Sequence, residues 1–304
     1  MAKPLARGFS ALFLLWGLAT LAAGYWVLPP LLLQVPLPVR SEKDRESIRA
    51  SLQRPGERWT MTSLQGGEGR RLELWRLHRV QEKGVVIYLH GFGDDAWGTV
   101  GRAAELPEWG AASFTFRGRD RDPSIPCTMG AWERKDVVAV VHHLLNEGVP
   151  AQRLVVAAWS MGAGVALLAL EDLEKEGTRL GGALLECPFE DLRSAAQDHV
   201  KGTLGPFELL ARPAEELALF RGGRLANFQP GSVSPALAVP SLKGPIAYVS
   251  GSADQETPLP GVQRVAGDHA DLTVVPGAGH CQASNQLPGG WGHWARQRLA
   301  RWGY

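Results

Sequence analysis

A chain of 304 residues is long enough for one large domain with a deep core. Its 32 basic and 31 acidic side chains leave a formal charge of +1 and no basic block, which excludes the electrostatic footprint of a nucleic-acid binder. Three cysteines are too few for a disulfide framework, their odd number leaves at least one thiol in a monomer, and no C-x-x-C pair points to zinc.

The amino terminus carries Lys3 and Arg7, then an uncharged run from Ala11 to Leu28. With Phe9 and Ser10, the segment 9–28 spans about 30 Å as a helix, roughly one hydrocarbon core. Tyr25 and Trp26 fall near its far end, where an interfacial belt belongs. Residues 1–8 therefore read as a cytoplasmic tail and 9–28 as a transmembrane signal-anchor. The basic residues before the span put the main body on the extracytoplasmic side, the periplasm if the source is bacterial. The competing reading is a cleaved signal peptide and a secreted protein. Its apolar region runs about 7–15 residues; the run here is longer, although Ala22, Ala23 and Gly24 offer a cut site. Residues 29–56 read as a linker. Its four prolines between 29 and 40 predict extended chain rather than helix, and 41–52 reads as a polar surface helix.

From residue 57 the pattern alternates. Strands are expected at 58–64 and 71–79 around Gly66-Gly67, then at 84–92 and 111–119. A helix at 131–148 ends at a glycine. Strand 153–160, helix 161–177 and strand 180–189 follow. Strands 245–254 and 271–280 precede a terminal helix at 289–303. This order predicts an α/β domain with a mostly parallel sheet covered by helices on both faces. Residues 191–242 break the rhythm and read as a helical insertion large enough to cap the sheet edge.

Ligands of such sheets bind beyond the carboxyl ends of the strands. There the sequence puts His90-Gly91-Phe92-Gly93, Trp159-Ser160-Met161-Gly162, Gly251-Ser252-Ala253-Asp254 and Gly277-Ala278-Gly279-His280. A serine, an acid and a histidine thus occur in that order, each after its own strand. The plain alternatives are a helix N-cap for Ser160, a cap for Asp254, and Asp191 as a rival acid. Trp159 reads as core or pocket lining, Cys187 and Cys281 as buried or incidental, and Asp120 and Asp122 as a solvated loop. His90 reads as a brace for its turn. His142, His143 and His293 lie on helices, His78 and His199 have no motif context, and His269 precedes the last strand.

Together these residues resemble the α/β-hydrolase superfamily, whose catalytic order is Ser, Asp/Glu, His. The likeness covers 57–304 and is nearest to capped, membrane-anchored serine hydrolases of the serine-aminopeptidase and acyl-hydrolase-like branch, to which 128–144 and 184–193 add. It implies Ser160 as nucleophile on a strained turn, His280 as general base and Asp254 as its orienting acid. Asp254 is preferred to Asp191 because the family pattern sets a glycine three residues before the acid and a proline four after, met by Gly251 and Pro258. The backbone N–H groups of Met161 and Phe92 would form the oxyanion hole, supported by His90, Gly91 and Gly93. Gly162 gives the close strand–helix approach, and Ala158, where the motif usually has glycine, is a mild departure.

The implied activity is hydrolysis of carboxylic esters or related acyl bonds through an acyl-enzyme, on a small-molecule or lipid acyl substrate. No metal and no cofactor are expected. An aminopeptidase-like peptidase reading a free amino terminus through Glu215 and Glu216, an acyltransferase, and a non-enzymatic membrane-tethered scaffold stay open beside it, as does the oligomeric state.

Overall fold

The near-continuous apolar run at Val85–Leu89 lies at the middle of a sheet and is buried on both faces. In chain order the strands are β1 (Arg58–Gln65), β2 (Arg71–His78), β3 (Val85–Leu89), β4 (Gly110–Ser113), β5 (Leu154–Trp159), β6 (Gly182–Glu186), β7 (Ile246–Gly251) and β8 (Asp271–Val275). The eight strands lie in the order β1-β2-β4-β3-β5-β6-β7-β8. β2 is antiparallel to both β1 and β4; from β4 onward every neighbouring pair is parallel. The computed structural model describes residues 3–34, 40–118, 125–267 and 271–304. Asp120, Asp122 and His269 lie outside them.

The helices are α1 (Lys3–Ala22), α2 (Leu28–Leu33), α3 (Glu42–Leu52), α4 (Ala96–Val100), α5 (Glu133–Asn146), α6 (Met161–Lys175), α7 (Leu192–Leu204), α8 (Glu208–Leu225), α9 (Pro235–Ala238), α10 (Leu259–Ala266), α11 (Ala283–Gln286) and α12 (Gly290–Arg301). Side chains of α5, α6 and α10 bury one face of the sheet, with Leu89, Val156 and Leu185. Those of α4 and α12 bury the other, with Val86, Tyr88 and Val155. Two covered faces are what a parallel sheet requires. Between β6 and β7 the expected insertion is helical and comprises α7, α8 and α9.

Two expectations change. Strand β4 stops at Ser113 rather than running to 119. Beyond it the Phe116 N–H turns out of the ladder to donate to His90 Nε2 at 2.9 Å. Pro29 and Pro30 do not open an extended linker, while Pro36 and Pro38 lie outside the described residues. A π-turn at Ala23–Val27 joins α1 to α2, and Pro29 and Pro30 sit in the first turn of α2. The π-turn carries the helix straight into them, with Leu28 N bonding back five residues to Ala23 O.

The apolar helical stretch therefore runs from Leu12 to Leu33, 22 residues, long enough to cross a membrane; a signal sequence would pass the same test. From Trp16 onward it makes contacts with the body. A Cβ on Gly24 would stand 2.5 Å from Ala214 O in α8, Trp16 Nε1 donates to Leu210 O at 3.2 Å, and Cys127 N donates to Leu33 O at 2.8 Å. Helix α3 opens with a Ser41/Asp44 capping box and is docked rather than loose: Leu52 is buried, and Arg40 pairs with Asp94 at 2.8 Å and with Asp95.

Candidate active site

Strand β5 hands over to α6 at Ser160, whose backbone sits at φ 50° and ψ −118°. A non-glycine residue there is strained, by about 1–3 kcal/mol, and persists only where its surroundings hold it. They do. Ser160 N donates to Glu186 O at 2.9 Å, and the Gly91 loop presses close enough that a Cβ on Gly91 would lie 3.3 Å from Ser160 Cβ. The side chain makes no capping bond to α6, so the N-cap alternative does not describe this serine. Ala158, two residues earlier, lies wholly buried within β5 between Leu89 and Leu185. Trp159 faces away from the site, stacked 6.5 Å from Tyr88 in the core of the opposite face. Its place is core, because successive strand residues point to opposite sides.

The loops after β7 and β8 bring the acid and the base to this turn. His280 Nε2 lies 2.9 Å from Ser160 Oγ, and His280 Nδ1 lies 2.9 and 3.1 Å from the two oxygens of Asp254. Asp254 is 5 % exposed. Its Oδ1 accepts from Glu256 N and Thr257 N, each at 2.9 Å, and its Oδ2 from Thr257 Oγ1 at 2.9 Å. Burial pushes this carboxyl up, but the bonds from His280 and Thr257 outweigh it and hold it below its ordinary range. Burial likewise pulls His280 down, and is outweighed by Asp254 and then by the neighbouring Cys187, so the imidazole is more basic than usual. A carboxylate fixed on Nδ1 leaves Nε2 ready to accept the Ser160 proton. The rival Asp191 is the N-cap of α7, accepting from Ser194 N at 3.0 Å and Ser194 Oγ at 2.8 Å.

His90 braces its turn as expected. It is fully buried, and its Nε2 accepts from Phe116 N, so Nδ1 carries the proton donated to Gly91 O at 2.8 Å. Gly93 takes φ 90°, which a side chain would resist. Gly162 meets the close approach required of it: a Cβ there would stand 2.6 Å from His90 O and 2.7 Å from Leu89 O. Met161 N belongs to the first turn of α6, where amides have no partner within their own helix.

Ser160 and His280 open into a cavity of about 290 Å³, among whose walls are Phe92, Met129 and Phe189. The inserted helices contribute Leu192, His199 and Glu215, and α2 contributes Leu28, Leu31 and Leu32. Reading 29–40 as a linker concealed this last wall. Met129 was also missed. It stands at φ 57° in a turn held by buried Glu133, which accepts from Thr128 N at 2.7 Å and Gly130 N at 2.8 Å. The acid three residues after a glycine in "TMGAWE" is the signal that was available.

Glu215 and Glu216 do not act as a pair. Glu216 is exposed and meets Arg193 at 2.9 Å. Glu215 is 5 % exposed, and neither carboxyl oxygen has a partner among the described residues. Burial, and secondarily Glu216, push it up to about 7. A carboxyl raised in the folded state contributes most below its ordinary range, and that contribution is lost as pH climbs through about 7. Glu215→Leu is therefore expected to stabilise the protein at pH 8 by about 1–3 kcal/mol in urea unfolding, with the gain shrinking toward pH 5.

Two cysteines flank the same loops. Cys187 directly follows β6, Cys281 directly follows His280, and their Sγ atoms lie 3.1 Å apart. Cys187 is buried, as expected, and Cys281 partly exposed.

Residues 86–288 match the model of the alpha/beta hydrolase family. Over 125 residues the chain is 33% identical to an acetyl-hydrolase of Streptomyces hygroscopicus, a stretch that spans 39% of this chain and 40% of that protein. Among solved structures, an esterase of Pyrococcus furiosus superposes with a TM-score of 0.65 at 22% identity, covering 89% of this chain and 98% of its own. A fungal esterase of Rhizomucor miehei gives 0.56 at 15%, covering 87% and 90%. These two likenesses concern the fold.

Proposed function

This chain belongs to the alpha/beta hydrolase family, and from that premise we propose that it is a serine esterase acting through an acyl-enzyme on lipophilic carboxylic esters. The observation that carries the reading is the relay from Ser160 Oγ to His280 Nε2, 2.9 Å, and from His280 Nδ1 to Asp254 Oδ2, 2.9 Å, built on a serine at positive φ. Ser160 Oγ attacks the acyl carbon as His280 takes its proton. The N–H groups of Met161 and Phe92 meet the developing oxyanion. His280 then protonates the departing alkoxide, and the same steps with water release the acid.

The largely apolar wall of the cavity suits an acyl chain. Trp16 and Gly24, which lie before or at the possible cut, pack against α8, and this supports a retained amino-terminal helix over a cleaved leader. With Lys3 and Arg7 ahead of the span, the catalytic body lies on the extracytoplasmic side. The aminopeptidase reading is weaker, because only one of the two acids proposed to hold an amino terminus faces the cavity.

A fluorophosphonate probe tests the reading. It is expected to label the folded wild-type protein and to leave Ser160→Ala unlabelled, and a folded wild type that resists labelling overturns it. Comparing acyl esters of graded chain length with aminoacyl amides separates esterase from peptidase.

A further inference from the structure

We propose that Cys187 and Cys281 are a redox pair that closes to a disulfide and covalently joins the loop bearing His280 to the end of β6. The two residues are 94 positions apart in sequence, yet their Sγ atoms lie at 3.1 Å. A disulfide bond is about 2.05 Å long, so closure asks for a movement of roughly 1 Å. Both cysteines sit at positive φ, 45° and 51°, a conformation that non-glycine residues hold only where packing enforces it. Cys187 is anchored by its N–H to Val249 O at 3.0 Å.

The bond would act where the site is assembled. Glu186, just before Cys187, accepts from Ser160 N through its carbonyl at 2.9 Å and from Ser284 N through its carboxylate at 3.0 Å. Joining Cys187 to Cys281 makes one covalent frame of the nucleophile turn's support and the base's loop. A metal is the competing occupant, since His280 clusters with both sulfurs. Both imidazole nitrogens are already engaged, one by Asp254 and one by Ser160. That leaves two sulfur ligands, short of the four that a structural zinc takes.

Exposure sets the order of events. Cys281 is partly exposed and Cys187 fully buried. Cys281, as thiolate, attacks a disulfide oxidant such as glutathione disulfide, forming a mixed disulfide and releasing one glutathione. Cys187 Sγ then attacks Cys281 Sγ and releases the second. Two protein thiols lose two electrons and two protons; one glutathione disulfide becomes two glutathione thiols.

The full-length protein in detergent, equilibrated in an oxidising glutathione buffer, alkylated after denaturation and mapped by mass spectrometry, tests this. Expected are a linked Cys187–Cys281 peptide and one alkylatable thiol per chain. Reduction is expected to lower Tm by roughly 5–10 °C in wild type and to leave the Cys187→Ala/Cys281→Ala variant unchanged. Three alkylatable thiols after equilibration, a link to Cys127, a stable glutathione adduct on Cys281, or zinc bound to the reduced pair would each overturn the proposal. The thiol map does not depend on ester hydrolysis, so its outcome stands apart from that of the Ser160 labelling.

Discussion

Asp254→Asn is expected to lower kcat on a short-chain ester by about four orders of magnitude while leaving the protein folded. The hydrogen bonds decide how the amide settles. Two backbone donors, Glu256 N and Thr257 N, converge on Oδ1, Thr257 Oγ1 meets Oδ2, and His280 Nδ1 lies nearer Oδ2, at 2.9 Å, than Oδ1, at 3.1 Å. An asparagine puts its carbonyl oxygen toward the two backbone donors, because turning it round would leave two buried N–H groups facing an NH2. Its NH2 then faces Nδ1. The imidazole must accept there, which moves its proton to Nε2, and Nε2 can no longer take the proton of Ser160. The acidic limb of the pH–rate profile is also expected to move to lower pH, because the carboxylate that makes His280 more basic is gone. Asp191→Asn is the control. Asparagine caps a helix as well as aspartate does, so α7 and kcat should both be retained. Stopped assays across pH on the two variants check the assignment of the acid.

Only the family spacing of Gly251 and Pro258 separated Asp254 from Asp191 in the sequence; chain order and strand ends, which place catalytic candidates at the carboxyl ends of a parallel sheet, admit both. The same logic found Ser160, His280 and the His90 turn. It failed where a local rule met a tertiary context. Four prolines between 29 and 40 read as a helix breaker, yet Pro29 and Pro30 follow a π-turn inside one continuous helical stretch. That single misreading hid one wall of the cavity. The cysteine contact was beyond reach for a different reason. It joins loops 94 residues apart, and no periodicity carries across such a distance. Trp159, which the sequence left between core and pocket lining, lies in the core of the face opposite Ala158, as alternation along β5 requires.

The small residues around the serine should behave asymmetrically, and the larger effect belongs to Gly162→Ala. Ala158 is a strand residue whose methyl already fits between Leu89 and Leu185. Ala158→Gly is therefore expected to cost about 0.5–1 kcal/mol of stability and to leave kcat near the wild-type value. At Gly162 an added Cβ meets His90 O at 2.6 Å and Leu89 O at 2.7 Å. Both obstacles are backbone, so no side chain can swing aside. Either α6 retreats, carrying the Met161 N–H with it, or the end of β3 retreats, carrying Gly91 and the Phe92 N–H. One of the two proposed oxyanion donors is misplaced in either case. The loss should be about 10²–10³ in kcat, with about 1–3 kcal/mol of stability, and KM should change little because the cavity walls stay in place. Measuring kcat and KM separately on the two variants makes the distinction. A Gly162→Ala enzyme with intact kcat would mean that the oxyanion is met by donors other than Met161 and Phe92.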